Sequence, residues 1–521
     1  MNNLLWGFGV VHLFFTINYT RSPNYLTQHS HFLLKDLIFL NKIKDLIAKY
    51  TPVNWHEMTH QKLPFSALDT FLSGHLLDNP ILMFSGENIV GQLTNMAHNV
   101  QLSESPNGSA VLAYSPKGYL SACCRTELDQ VRQSIRESAR MSITDESHGP
   151  TTANPESPFR SGWAGFISYD AGKTLQGLTP CTAALNSAGA PLAEFFYYPL
   201  SLYLDFADNS CTLQNPQRLP EAVTTAFIAR LENAITAYKT ATTLTAEMTK
   251  PRQWQCAWSK EQYQQAFTKT RHYLAAGDCY QVNLAMPFHC ADDLRSISPA
   301  PLLQAFNAPF SAYLKTPAQT LFSVSPERFI RIDGDRIETR PIKGTIARGE
   351  TAETDENNRQ WLANSAKNRA ENLMIVDLLR NDLSRSAEPF SVQVTKLFDI
   401  ESHANVHHMV STIVATRRPD QHAVDVIFDA LPGGSITGAP KRRAMEVIDE
   451  LEYQPRGAYC GVLGYFDDAG HADFNILIRT IAAAEQGATC WGGGGIVMDS
   501  TWEDEWQEIH SKVGRILSTP L

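Results

Sequence analysis

Lys343 lies within Arg340-Pro341-Ile342-Lys343-Gly344-Thr345, sixteen positions after Glu327. Residues 322–324, 328–332 and 336–339 alternate like strands, and Asp333-Gly334-Asp335 is a turn signal. A hairpin folded about Gly334 brings the Glu327 carboxyl and the Lys343 amine to one open end. An exposed pair of this kind is usually a surface ion pair of small worth. Here Pro341 fixes φ and Gly344 admits close approach of backbone or ligand. That setting suits an amine nucleophile better than a solubilising charge.

Further groups recur at chemical spacings. Glu505, Glu508 and Lys512 share one face of a C-terminal helix, and Glu371 stands in the first turns of another. Carboxylates from two helices are the usual means of building an oxygen-ligand Mg²⁺ site, with solvated helix faces as the plainer alternative. Residues 457–466 and 473–481 read as strands of a hairpin about Ala469, which sets Tyr459 opposite Arg479. A phenol beside a guanidinium makes a fork for a carboxylate. The run Gly492-Gly493-Gly494-Gly495 ends an apolar strand, where backbone N–H groups could line an anion pocket, the plainer alternative being a bend needed for packing.

Thr437 and Gly438 precede a helix expected to start near Ala439-Pro440, with Pro in the first turn, where free N–H groups favour an anion. The glycines and Lys441 of this stretch have the look of a phosphate loop. However, Ala439-Pro440 intervenes and no Ser or Thr follows Lys441, which argues against a nucleoside triphosphatase. His407-His408 has no third ligand at zinc spacing.

Several elements must position these groups. Residues 81–84, 110–113, 163–169 and 201–206 are apolar strand candidates, residues 141–160 read as a polar loop, and residues 221–244 carry a helical pattern. Thr245 to Gln255 reads as a linker. Ser259-Lys260-Glu261-Gln262 is a capping box opening a helix to Ala276, followed by a strand from Tyr280. Residues 366–384 form a long helix with Leu373, Met374, Val376, Leu379 and Leu383 towards the core. The chain divides into an N-terminal extension (1–57), a strand-rich region (58–245) and a catalytic region (256–517).

A chain of 521 residues, 43% hydrophobic and 19% charged, has ample material for a core. Its net charge of −10, without a basic tract, speaks against nucleic acid or an anionic membrane as partner. The nine cysteines show no CxxC pair, which points to a reducing compartment, hence the cytoplasm. The apolar run at residues 4–15 is too short to span a bilayer.

Pro341-Ile342-Lys343-Gly344-Thr345, the run from Glu371 to Asp382, Gly438-Ala439-Pro440-Lys441, Ile478-Arg479-Thr480 and the segment from Gly493 to Lys512 together resemble the chorismate-utilising enzymes. The resemblance covers about residues 260–515, and more loosely residues 60–215. It implies an α+β fold, a large antiparallel β-sandwich core with helices outside. Lys in the Pro-Ile-Lys-Gly-Thr box resembles the branch that aminates chorismate at C4, where the anthranilate-forming branch usually carries Ala.

The resemblance implies that Lys343 attacks C2 of chorismate as the 4-hydroxyl leaves, and that ammonia then opens the adduct at C4. The product is 4-amino-4-deoxychorismate, a precursor of 4-aminobenzoate and folate. Supplying neutral amine at pH 7 costs about 4–5 kcal/mol for an ordinary lysine, so Arg340 and a bound Mg²⁺ are candidate helper cations. Glu327 fits the general acid, and His408 is expected close to the reacting ring. Glu371 and Glu508 are implied to hold Mg²⁺ with Glu505 nearby. Tyr459, Arg479, Gly494 and Gly495 are implied to hold the enolpyruvyl carboxylate, and Lys512, Thr437 and Lys441 to complete the anion-binding wall. The spacing of a glutaminase nucleophile is missing, so a separate glutaminase subunit is the expected ammonia source. The alternatives are an anthranilate-forming enzyme or a non-catalytic subunit that binds tryptophan.

Overall fold

Alternating apolar runs make strands because period-two side chains can bury one face. In the first half these are β1 (Ile81–Gly86), β2 (Gly108–Ala113), β3 (Gly118–Ala122), β4 (Gly162–Ile167), β5 (Ala193–Tyr198), β6 (Ser201–Asp205) and β7 (Ser210–Gln214), with helices α1 (Arg125–Thr144) and α2 (Tyr169–Leu175). The computed structural model describes residues 81–86, 108–144, 159–178, 191–205, 210–230 and 251–521, apart from 298, 307, 404 and 405. The N-terminal extension with its apolar run lies outside the described residues, as do most of the expected 141–160 loop and the second half of the 221–244 helix.

The second half supplies β8 (Gln255–Cys256), β9 (Gln281–Cys290), β10 (Phe310–Lys315), β11 (Thr320–Ser325), β12 (Arg328–Asp333), β13 (Arg336–Thr339) and β14 (Ile342–Ala347). It continues with β15 (Gln393–Ser402), β16 (Val406–Thr416), β17 (Gly438–Ala439), β18 (Val462–Asp467), β19 (Ala472–Ile476), β20 (Thr480–Ala484) and β21 (Gly487–Ile496). Its helices are α3 (Lys260–Ala275), α4 (Ala300–Ala305), α5 (Ala352–Asn364), α6 (Ala366–Ser384), α7 (Ala423–Ala430), α8 (Lys441–Leu451) and α9 (Trp502–Ser518).

Among the described residues these strands form an 11-stranded sheet, β17-β9-β21-β20-β11-β10-β1-β2-β6-β7 with β8 on β9, and a 10-stranded sheet, β14-β16-β13-β12-β19-β18-β4-β5-β3 with β15 on β16. Strands from residues 58–245 and 256–517 share both sheets, so the two sequence regions are interleaved parts of one layered fold. Ile81, Val111, Leu314 and Leu321 of the first sheet meet Phe166, Phe196 and Leu463 of the second in one core between them. On the other face of the second sheet, Ile330, Ile337, Ile413 and Phe466 pack under Leu128 and Val131 of α1, Ile375 and Leu379 of α6, and Ile427 of α7. Helices α3, α8 and α9 cover the first sheet at β9 and β21. This is the expected α+β sandwich with helices outside. Among the described residues, no helix is long and apolar enough to cross a membrane.

Local expectations hold where the signal is local. The Ser259 capping box is complete, with Gln262 reaching back to the Ser259 N–H (2.8 Å). The hairpin turns at Gly334 (φ +62°), pairing Asp333 with Arg336. Strands β13 and β14 then run end to end along β16, with Thr339 opposite Ile413 and Ile342 opposite Val410, while β15 flanks the other edge.

Three local readings are corrected. The buried face of α6 is Asn372, Ile375, Val376, Leu379, Asp382 and Leu383, whereas Leu373 is 46% exposed and Met374 only partly covered. The face turns because two polar residues have buried partners: Ser411 Oγ donates to Asn372 Oδ1 (2.6 Å), and Asp382 pairs with Lys441. Pro440 is the extended N-cap of α8 (φ −63°, ψ 138°) rather than its first turn, because Gly438 and Ala439 pair with Val282 and Gln281 of β9. The register from Val462 opposite Ile476 to Phe466 opposite Ala472 does centre the hairpin on Ala469. Its ladder stops before Tyr459 and Arg479, because Cys460 (φ +62°) and Arg479 (φ +50°) leave the extended conformation.

Candidate active site

Glu327 sits on the link between β11 and β12. Ser325 Oγ donates to the Ile476 carbonyl (2.6 Å) and accepts from the Glu327 N–H (3.2 Å), which staples this link to the end of β19. The Glu327 carboxyl is 7% exposed. Burial pushes it up to about 7, against a hydrogen bond from Ser435 and the positive charges of Lys343, Arg479 and Lys512. A carboxyl in that range is available as a proton donor near neutral pH.

Lys343 is partly buried on β14, at an irregularity in the β14–β16 ladder between Ile342 and Thr345. At Gly344 (φ +95°) a Cβ would lie 3.0 Å from Asn368 Cγ and from Leu362 Cδ1, so α5 and α6 press directly on the turn that presents the amine. Arg340 is engaged by Glu401. It is therefore a neutralised neighbour rather than the helper cation expected for Lys343.

His408 is 6% exposed, and its Nδ1 is 2.8 Å from Thr345 Oγ1. Burial, with the neighbouring His403, Arg479 and His407, pushes the imidazole down to about 3. At neutral pH it is an uncharged ring.

No ladder pairs Tyr459 with Arg479. Burial raises the Tyr459 phenol well above its ordinary value, so it stays protonated. Its ring stacks on Trp491 with centroids 5.6 Å apart. Beneath it Arg456, 3% exposed, donates to both oxygens of Glu452 (2.7 and 2.8 Å) and to the carbonyls of Asn283 (2.6 Å) and Ile436 (3.1 Å). This buried pair ties the 433–437 loop to β9 and backs Tyr459.

The four glycines lie in β21 with both faces crowded. A Cβ on Gly493 would meet Ala285 Cβ at 2.7 Å and the Tyr459 hydroxyl at 2.8 Å, and one on Gly495 the Gln281 amide at 2.9 Å. On the opposite face, a Cβ on Gly492 would meet Ile509 and Val513 at 2.8 Å, and one on Gly494 would lie 2.6 Å from Glu505 Oε2. The close-packing reading of the glycine run therefore holds.

Glu505 is 6% exposed, and its Oε1 accepts from Ser500 Oγ (2.7 Å). Burial raises this carboxyl, and the adjacent Glu508 adds to the effect. Burial also acts to raise Glu508, but the ammonium groups of Lys512, Lys343 and Lys367 outweigh it and hold Glu508 below the ordinary range. Lys512 Nζ lies 2.7 Å from Glu508 and donates to the Gly493 carbonyl (3.1 Å). Glu371 pairs with Lys367 across one turn of α6 at 4.0 Å. The charge of Lys367 also acts on Glu505 and Glu508, so the three glutamates border one region. Among the described residues no three His, Cys, Asp or Glu side chains are gathered at metal-ligand spacing. The donor set is nonetheless all carboxylate oxygen, which matches a hard cation such as Mg²⁺, and Gly494 leaves open the space in front of Glu505 Oε2.

Two expected wall residues have other employment. Lys441 is 9% exposed, 2.6 Å from Asp382 and 3.2 Å from the Ala430 carbonyl. Thr437 is fully buried; its hydroxyl donates to the Gly433 and Gly434 carbonyls (3.0 and 3.2 Å) and its N–H to the latter. The Thr437 donors and two of the three Lys441 N–H groups are thus already engaged.

Sequence reasoning missed Ser435 and Gln281. The Gln281 side chain is fully buried beside Gly495, and neither amide atom has a partner among the described residues. Only its place at the start of the strand after the capping-box helix hinted at it.

The model of the chorismate binding enzyme family matches residues 99–518. The chain is 43% identical over 378 residues to the aminodeoxychorismate synthase component 1 of Escherichia coli K12, covering 72% of this chain and 80% of that one. It is 33% identical to the Bacillus subtilis protein of the same name, covering 70% and 77%. The crystal structure of anthranilate synthase component I from Streptococcus pneumoniae superposes with a TM-score of 0.62 at 25% identity, covering 81% of this chain and 94% of that one. The menaquinone-specific isochorismate synthase MenF of Escherichia coli shares the fold, with a TM-score of 0.60 at 17% identity, covering 88% and 94%. With four-fifths of its length under the family model, the chain belongs to the chorismate-binding enzymes.

Proposed function

We propose that the chain is the chorismate-aminating component of an aminodeoxychorismate synthase, and that ammonia reaches it from a separate glutaminase subunit. One observation carries the chemistry: a buried carboxyl held near neutral pH, Glu327, lies within electrostatic reach of Lys343. The 42–43% identity to bacterial proteins named aminodeoxychorismate synthase component 1 supports the choice of product.

In the proposed reaction the Lys343 amine forms a bond to C2, both ring double bonds shift (C1=C2 to C1=C6, C5=C6 to C4=C5), and the C4–O bond breaks. Glu327 delivers its proton to that oxygen, which leaves as water, and the Glu327 carboxylate takes back the proton that the newly bonded Lys343 nitrogen sheds. Ammonia then bonds to C4, both double bonds shift back, and the C2–N bond to Lys343 breaks, the proton shed by the new C4 ammonium balancing the one that the departing Lys343 nitrogen takes up. Neutral His408 can exchange hydrogen bonds at the ring without adding charge. Arg479 and the Tyr459 hydroxyl would hold the enolpyruvyl carboxylate with the N–H groups of Gly494 and Gly495, and Lys512 would add positive charge. Glu371, Glu505 and Glu508 are the residues that would hold Mg²⁺, which when bound supplies positive charge to the ring carboxylate. A dianionic substrate needs this local arrangement because the chain as a whole carries −10.

Incubation with chorismate and Mg²⁺ without ammonia is expected to give a covalent adduct on the peptide containing Lys343, detected by mass spectrometry. With ammonia, aminodeoxychorismate should accumulate. Anthranilate as the product, with no adduct, would overturn the proposal in favour of the anthranilate-forming branch.

A further inference from the structure

Tyr263 is fully buried on α3, its ring 5.3 Å from Trp506 of α9 and 6.5 Å from Trp258. Its hydroxyl is sealed from solvent and has no hydrogen-bond partner among the described residues. A buried donor left unmade is costly, and phenylalanine would fill the same space without that cost. Tyrosine at this position therefore needs a reason.

The charged groups that act on this hydroxyl are Glu505 and Glu508, the carboxylates either side of Trp506. Towards either carboxylate the phenol O–H can act only as a donor. In the present arrangement both carboxylates are turned elsewhere, Glu505 Oε1 to Ser500 and Glu508 to Lys512. Tyr313 offers a contrast: its hydroxyl is also buried and unpartnered, yet burial alone acts on it and no charged group faces it.

We infer that Tyr263 is a positioning residue for the metal-holding carboxylates of α9: its hydroxyl is the donor that Glu505 or Glu508 takes up on leaving Ser500 or Lys512 to ligate a divalent cation. The inference rests on the Mg²⁺ reading given above. Hydrogen bonds from behind a ligand fix its rotamer and typically change metal affinity by about 10- to 100-fold. The hydroxyl is thus idle in the metal-free protein and engaged in the metal-bound one.

The isosteric variant Tyr263→Phe separates this role from packing, because the two properties should move differently. In the full-length protein without chorismate, Mg²⁺ affinity measured by calorimetry is expected to fall about tenfold. The metal-free thermal midpoint is expected to be unchanged or raised. Tyr313→Phe should leave Mg²⁺ affinity unaltered. Unchanged affinity in Tyr263→Phe overturns the inference while leaving the metal site standing. A lowered metal-free midpoint also overturns it, since the hydroxyl would already have a partner. If the wild-type chain binds no Mg²⁺, the metal reading and the inference fall together.

Discussion

Two lysines of this chain sit in motifs of similar appearance and have opposite surroundings. Lys343 lies partly buried at a break in the β14–β16 ladder, with Glu327 and Glu508 within electrostatic reach. Lys441 is 9% exposed and held 2.6 Å from Asp382, on the buried side of α6 and α8. A cation whose charge is cancelled by a short buried partner holds the fold together, and one left partly open is free to meet a ligand. The same test separates Arg479, which faces Glu327 and His408, from Arg456, whose guanidinium is spent on Glu452 and two carbonyls.

The largest effect is expected at the open site. Lys343→Ala should lower amination by about 10⁴-fold, roughly 5 kcal/mol, while chorismate binding by calorimetry stays measurable. Retained turnover would move the nucleophile elsewhere and erase the contrast between the lysines.

At the closed site, Lys441→Met removes the partner of a buried carboxylate and should cost about 3–5 kcal/mol in denaturant unfolding, with the KM for chorismate in the surviving folded enzyme unchanged. A raised KM at undiminished stability would return Lys441 to the anion-binding wall.

A smaller effect should appear at Glu327, with a sign that depends on pH. Its carboxyl is raised in the folded chain from 4.5 to about 7, so its contribution to stability is intact below about pH 4.5 and lost as pH rises through about 7. Glu327→Gln should therefore exceed the wild type in unfolding by under about 1 kcal/mol at pH 5 and by about 3 kcal/mol at pH 8, while lowering turnover at both. Equal stability at the two pH values would mean that the carboxyl ionises freely.

The sequence was most legible where the physics is short-ranged. The hairpin about Gly334, the Ser259 capping box and the full extent of α6 follow from turn chemistry, caps and length. The groups around Glu327 were reachable because a two-strand hairpin is itself a local structure. What escaped depends on partners far away in the chain. Asp382 meets Lys441 across 59 positions and Ser411 meets Asn372 across 39, which turned the face of α6 and closed off the expected anion site. Tyr263 and Gln281 could not be found from spacing, since what marks them is a buried polar group without a partner, visible only once the surrounding atoms are in place.

The glycine run of β21 has a consequence for how this architecture can vary. With Ala285 and Tyr459 against one side and Ile509, Val513 and Glu505 against the other, this partition is a single peptide layer thick. It cannot grow a side chain towards either compartment without displacing what already stands there. Any change at this level must therefore be written into the opposing surfaces, and the bare strand acts as a fixed datum from which the acidic helix is measured.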